Sequence, residues 1–242
     1  MRREAIAPLA GAYSAAVSSG TPPTHTSTPG AWRTPLWLLA LSVVPMLGGV
    51  ARLTNLATAA PTPDTARFFD SPVPVVVHIV GSTLFAVLGA FQFSAGLRRR
   101  WPRWHRVGGR IAAAGGFLSG LTGTWMTLAY AIPRALQGPP ILVTRLLVGP
   151  AVMLFIVLAV RAILRRDVVA HEAWMIRAYA LAQGAGTQAV LLGPSMLLFG
   201  ELTHGPRDAL MVLAWLINVV VAEALVRARS PAAAVARRAA PG

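Results

Sequence analysis

Residues 73–97 read VPVVVHIVGSTLFAVLGAFQFSAGL, an apolar run without an Arg, Asp or Glu, and the basic stretch RRRWPRWHR (98–106) follows directly. An α-helix rises 1.5 Å per residue, so about 20 apolar residues cross the hydrocarbon core of a bilayer. The run also lacks the strict alternation of a membrane β-strand. It therefore predicts a transmembrane helix that ends in a basic loop.

The composition of the whole chain agrees with a membrane protein. Hydrophobic residues make up 55% of the 242 residues and charged residues 12%, with a mean hydropathy of +0.59; a soluble domain has about 25% charged residues. All 22 basic residues are Arg, and they cluster at the ends of apolar runs. Arginines at the ends of transmembrane helices set the orientation of a membrane protein. The net charge of +14 is explained in this way, and we predict no nucleic-acid partner. The absence of Cys excludes disulfides and thiolate chemistry.

Five further apolar runs have the length of a transmembrane helix. We predict an all-α integral membrane protein with about six transmembrane helices in one bundle, because a helix satisfies its own backbone in lipid. The predicted spans are approximately 36–53, 73–97, 107–132, 141–164, 174–199 and 209–226, within a domain of residues 34–228. Residues 1–33, rich in Ser, Thr, Pro and Gly, predict a disordered cytoplasmic tail, and residues 229–242 a basic cytoplasmic tail.

The distribution of arginines between the loops predicts the orientation. The loops after the second and fourth spans and the C-terminal tail are rich in Arg, whereas the alternate loops hold few or balance them with acidic residues. Because cytoplasmic loops carry the excess of basic residues, both termini are expected in the cytoplasm. The expected location is the inner membrane of a bacterial cell, with the lipid bilayer as the principal partner.

Two hairpins of the chain carry the same succession of residues. The second and fourth spans each end in Leu-Arg-Arg, and each basic loop leads to a His and then to an Arg in the next span: His105 and Arg110, then His171 and Arg177. If the hairpins are parallel repeats, the two histidines face each other across a pseudo-twofold axis. The alternative is that cytoplasmic loops are Arg-rich in any membrane protein, which accounts for the arginines but not for both histidines.

Several polar residues fall inside the predicted spans, where each is expected to face protein rather than lipid. His78, Arg145 and Gln188 lie at similar depth and predict one polar cluster near the outer side. Asn218 is expected to bond to a neighbouring helix. The complete set comprises His78, Gln92, Arg110, Arg145, Arg177, Gln188, Asn218 and Glu223.

The deepest arginine of this set, Arg177, calls for a carboxylate or an anion. Trp174, three residues before it, is in position for a cation–π contact. Glu223 is the available intramembrane carboxylate, although Arg227 lies four residues after it on the same helix and could already satisfy it.

Three functions fit these residues. In the first, His105 and His171 form one site that binds either a b-type haem or a transition-metal ion, near a quinone or another electron carrier. In the second, a transporter or anion-binding protein gathers an anionic small molecule with His105, Arg110, His171 and Arg177. In the third, the polar residues fix helix packing in a structural or assembly protein. The sequence contains no motif typical of hydrolases or nucleotide enzymes, which weakens those two classes. Whether the protein is an enzyme of another kind stays open.

Three stretches resemble a known family. HIVGSTLFAVLGAFQFSAGLRRRWPRWHRVGGRI (78–111), RRDVVAHEAWMIRAYAL (165–181) and AWLINVVVAEAL (214–225) occur in the order of the bacterial predicted membrane proteins of domain of unknown function 2306. The resemblance implies a multi-pass membrane protein with a His before the basic loop, a His after it, and a later H-x-x-W-M-I-R; here these are His78, His105 and 171–177. The chain departs from the family at AGTQAVLLG (185–193), where an Arg is frequent and Gln188 is the candidate replacement.

Overall fold

The computed structural model describes residues 32–229, and every regular element in that range is a helix. The two predicted tails fall outside it apart from residues 32, 33 and 229. The nine α-helices of the described range are α1 (Arg33–Thr58), α2 (Ala66–Asp70), α3 (Pro72–Gln92), α4 (Ala95–Arg100), α5 (Pro102–Ala129), α6 (Pro139–Leu164), α7 (Val168–Ala182), α8 (Gly184–Phe199) and α9 (His204–Ala228), with a short 3₁₀ turn at Arg134–Leu136.

Four of these helices, α1, α3, α6 and α9, are long and apolar enough to cross a membrane by length and composition. The all-α architecture is thereby confirmed, with four candidate membrane spans. The helix at the third predicted span, α5, has 28 residues, but its many Gly, Ser and Thr residues lower its hydropathy. At the fifth predicted span the helix is divided at Gln183 into α7 and α8, each shorter than one crossing. The count of six spans stays a prediction.

Backbone contacts between glycines hold the centre of the bundle together. A Cβ atom on Gly81 of α3 would lie 2.6 Å from the carbonyl oxygen of Gly115 on α5, and one on Gly120 of α5 would lie 2.9 Å from that of Gly149 on α6. Small residues let membrane helices approach this closely. The buried side chains that fill the remaining space include Phe85, Ala112, Ile156 and Tyr179.

The connections between helices place different residues at the two ends of the bundle. One end holds the C-terminal turns of α1, the short helix α2 and the N-terminal turns of α6 and α9; we call it the cavity end. The opposite end holds the turns after α3 and α6 with the arginine stretches 98–106 and 165–166; we call it the basic-loop end.

Candidate functional site

A cavity of about 600 Å³ extends into the bundle from the cavity end. Residues of eight helices line it, with short stretches of α1, α3, α5 and α6 forming much of its wall. Its volume falls within the range of about 300–1,000 Å³ that is typical of small-molecule sites. The cavity is therefore the first candidate for a functional site.

Four half-buried arginines line this cavity: Arg52, Arg67, Arg145 and Arg207. The Arg52 and Arg67 guanidiniums lie 4.3 Å and 4.5 Å from the centre of the Phe68 ring. Arg52 also donates a long 3.4 Å hydrogen bond to Asn55, and Arg67 donates to the backbone carbonyl of Asp64. Burial, together with the positive charge of Arg52, lowers the pKa of Arg67.

The guanidinium of Arg145 is bonded to an amide rather than to an acid. Its Nη1 donates to Gln137 Oε1 at 3.0 Å, and the carboxylate of Asp208 attracts it from beyond bonding distance. Asp208 itself accepts a hydrogen bond from the Gly138 N–H at 2.8 Å. Among residues 32–229, no carboxylate lies within 4 Å of Arg52, Arg67 or Arg145. Positive charge at the cavity is thus incompletely compensated.

His78 contributes an imidazole to the cavity wall. Its Nδ1 lies 2.9 Å from the carbonyl oxygen of Ser119 and 3.3 Å from the Ser119 hydroxyl. A carbonyl can only accept, so Nδ1 carries the proton and Nε2 keeps its lone pair. Gly123 leaves room for the ring, because a Cβ there would lie 3.1 Å from His78 Cε1. The third member of the predicted polar cluster, Gln188, lines the same cavity and donates to the Met211 carbonyl at 3.2 Å.

The floor of the cavity is a hydrogen-bonded group of three buried side chains, Ser42, Tyr179 and Gln183. Gln183 Nε2 donates to the Tyr179 hydroxyl at 2.8 Å and lies 3.0 Å from Ser42 Oγ. Tyr179 in turn donates to the carbonyl of Ala86 at 2.7 Å. Sequence reasoning did not select these residues; the signal available was one Gln and one Tyr within an apolar run.

The interruption of the helix at Gln183 is compensated by side chains of α9. In the described chain, Gly184 and Ala185 do not donate to the carbonyls of Ala180 and Leu181 as a continuous helix would. Instead Asn218 Nδ2 donates to the Ala180 carbonyl at 2.9 Å, and Trp215 Nε1 donates to the Leu181 carbonyl at 3.2 Å. Backbone groups freed in a membrane helix need such partners. Asn218 thus bonds to a neighbouring helix, as expected.

The polar residues near the basic-loop end do not form one cluster. Arg177 makes two hydrogen bonds to Glu223, at 2.6 Å and 2.9 Å, and its guanidinium lies 4.8 Å from the Trp174 ring. Arg110 lies in a separate apolar groove between α5 and α6. Gln92 donates to the carbonyl of Leu88 at 3.3 Å within its own chain segment.

The two histidines of the basic-loop end occupy equivalent positions. Each is the fourth residue of its helix, and each backbone N–H bonds to the carbonyl of the residue before the helix, at 3.1 Å for His105 and 3.0 Å for His171. His105 precedes the third predicted span; burial and then the charges of Arg98, His171 and Arg106 lower its pKa. His171 Nδ1 lies 3.0 Å from the Ala159 carbonyl.

Apolar helices of membrane-spanning length around an internal polar cavity define a helical membrane protein. The chain belongs to the family described as "Predicted membrane protein (DUF2306)", whose model matches residues 75–226, more than half of its length. No curated protein and no solved structure matches it. The matched range includes His78, Arg145 and Gln188, whereas Ser42, Arg52 and Arg67 lie before it.

Proposed function

We propose that this protein binds an anionic small molecule in the cavity and acts as a transporter or receptor for it in the inner membrane. The proposal takes the bundle as six spans with both termini in the cytoplasm. The observation that carries it is the presence of Arg52, Arg67 and Arg145 on one cavity without a carboxylate within 4 Å. An anion bound there would supply the missing negative charge.

The energetic argument rests on the cost of arginine in an apolar layer. Placing an Arg at the centre of a membrane helix costs about 2.5–3.5 kcal/mol on insertion scales, and less towards the ends. Two guanidiniums stacked against the same Phe68 ring also repel each other. Converging positive charge in a cleft raises the local concentration of anions. Binding an anion would offset both costs at once.

This proposal moves the anion site away from the position predicted from the sequence. The sequence-based alternative used His105, Arg110, His171 and Arg177 at the basic-loop end. Arg177 already has a bidentate partner in Glu223, and Arg110 lies in a different groove, so fewer donors converge there. The arginines of the cavity end retain more of their capacity to bind an anion.

Thermal unfolding of the detergent-purified protein tests anion binding. Chloride, sulfate, phosphate and a series of organic acids are compared at constant ionic strength. A ligand that binds the folded state stabilises it by about 2.7 kcal/mol at a hundred times its Kd. We expect Arg145→Gln to abolish this effect. Arg134→Gln is the matched control, because Arg134 is exposed at the same end and does not line the cavity.

Two results would overturn the proposal: wild-type protein that no anion stabilises, or equal losses in both variants. The orientation is tested separately by a reporter fused at Asp64, between α1 and α2. The six-span arrangement places that reporter outside the cytoplasm. A cytoplasmic signal would contradict the arrangement without affecting the binding experiment.

A second candidate function is redox chemistry with a haem or a metal ion held by His105 and His171. Two observations favour it: His171 is among the charges that lower the pKa of His105, and a backbone carbonyl at His171 Nδ1 leaves Nε2 available as a ligand. The electron carrier in this candidate is a quinone or another small redox molecule. Among the described residues, no group of three or more His, Cys, Asp or Glu could hold a metal ion, so this candidate requires a haem or non-protein ligands.

An optical spectrum of the oxidised and the dithionite-reduced protein, expressed with added haem, tests this candidate. It predicts a Soret band with sharp α and β bands on reduction, lost in His105→Ala and in His171→Ala. His204→Ala, at the opposite end, serves as the control. A colourless, metal-free and folded protein would remove the redox function.

A further inference from the structure

We infer that the ligand is an amphipathic organic acid, with its anionic group beside Arg67 and Arg145 and its apolar body deeper in the cavity. The inference rests on the proposed anion-binding function and specifies the class of ligand. It follows from how polar and apolar groups are distributed along the cavity.

Positive charge is restricted to one end of the cavity. Arg145 lies in the second turn of α6, and Val152, seven residues further along that helix, lines the cavity too. On α3, His78 and Phe85 are separated by the same number of residues. Seven residues of helix correspond to about 10 Å. The cavity therefore continues for about 10 Å beyond the arginines, a length that a small inorganic anion does not fill.

The deeper wall offers a bound molecule mainly apolar surface. Phe85, Val148, Val152 and Trp215 contribute rings and branched aliphatic groups. Of the hydroxyl groups in this region, that of Ser82 donates to the carbonyl of Ile79 at 3.1 Å.

The polar groups at the floor of the cavity also form their hydrogen bonds within the protein. Ser42, Tyr179 and Gln183 bond to one another and to backbone carbonyls. No donor of this group is left for a polar ligand, because the Gln183 amide nitrogen and the Tyr179 hydroxyl hydrogen are both used. A second anionic group at the far end of a ligand would thus lose its hydration without gaining a hydrogen-bond donor. The apolar end of an amphipathic acid loses nothing there.

Affinity should therefore depend on the length of the apolar body. Each buried methylene contributes about 0.8 kcal/mol, which corresponds to a three- to fourfold change in Kd. Acetate, butanoate, hexanoate and octanoate form a suitable series, with sulfate and phosphate as anions that lack an apolar body and hexanol as a neutral analogue. Binding is measured by calorimetry with the full-length protein in nanodiscs of zwitterionic lipid.

We expect Kd to fall about three- to fourfold per methylene up to a limiting chain length, and hexanol to bind far more weakly than hexanoate. Ala185→Leu should lower the limiting length, because Ala185 is exposed and lines the deeper wall next to the floor. Ala51→Leu is the matched control, an exposed alanine of α1 that does not line the cavity.

The outcomes separate this inference from the proposed function. If sulfate or phosphate binds as tightly as hexanoate, without dependence on chain length, the anion site stands and the amphipathic ligand is wrong. If no anion binds, the proposed function itself fails. Native mass spectrometry of the purified protein decides the source of the ligand: a phospholipid that co-purifies and is displaced by hexanoate would overturn the assignment to a free organic acid.

Discussion

Two arginines at opposite ends of the bundle, Arg177 and Arg145, have different partners. At the basic-loop end, Arg177 is paired with Glu223 and Arg229 with Glu172. At the cavity end, Arg52 and Arg67 lie against a phenyl ring and Arg145 is bonded to an amide. A paired arginine contributes to the fold. Arginines left without a carboxylate on a shared cavity cost stability, and the proposed anionic ligand would offset that cost.

The interruption of the helix at Gln183 lies between these two ends of the bundle. The largest effect is expected from a substitution next to it. A Cβ on Gly184 would lie 2.0 Å from the indole nitrogen of Trp215. We expect Gly184→Ala to destabilise the protein by about 3 kcal/mol, as overpacking does. Gly193→Ala on the same helix is the control, since a Cβ there meets nothing within 4 Å; it should be neutral or stabilising. Equal melting temperatures would contradict the packing described.

The paired arginine gives the next largest effect. Glu223→Gln leaves Arg177 without its carboxylate and should cost about 2 kcal/mol, less than for a fully buried pair because the side chains are 22% and 36% exposed. Adding Arg177→Gln should recover part of the loss. A double-mutant cycle of thermal unfolding measures the coupling, and strictly additive effects would show that the two residues do not act as a pair.

Arg145→Gln should have a smaller effect on the ligand-free protein. The substitution removes an incompletely compensated charge together with one hydrogen bond to Gln137, so we expect a change below about 1 kcal/mol. The melting temperature without added anion measures it. A loss as large as that of Glu223→Gln would mean that Arg145 is a structural residue, and the contrast between the two ends would disappear.

The smallest effect is expected for the pair at the surface. Arg229 and Glu172 have side chains that are 45% and 41% exposed. Such pairs contribute about 0–1 kcal/mol, so Arg229→Gln should shift the melting temperature little and should lose that shift at high salt. A loss of stability that does not depend on salt would show that this ion pair contributes to the fold.

The apolar helices were predictable because they depend on local sequence. Run length placed the apolar helices, and counting residues from the helix ends placed His78, Arg145 and Gln188 at one depth; all three line the cavity. The family resemblance was also correct. The predicted positions of His105 and His171 as ligands stay predictions.

The features that sequence reasoning missed depend on contacts between distant segments. The stretch 178–186, AYALAQGAG, has the pattern of a continuous helix, and the interruption at Gln183 becomes favourable through donors from Trp215 and Asn218 on α9. For Glu223, by contrast, sequence reasoning named both Arg177 and Arg227 as partners, and the structure shows the bidentate contact with Arg177 on another helix. Local spacing did not decide between the two arginines.

The backbone contact between Gly81 and Gly115 limits how the bundle can move. Because the carbonyl of each glycine fills the place of the other's missing Cβ, sliding α3 along α5 by one helical turn would bring a larger side chain of the same face, such as His78 or Phe85, against the opposing backbone. The two helices are therefore coupled mechanically, and the contact between Gly120 and Gly149 couples α6 to them in the same way. A change of access to the cavity would have to come from motion of its other walls, α1 and the α8–α9 pair.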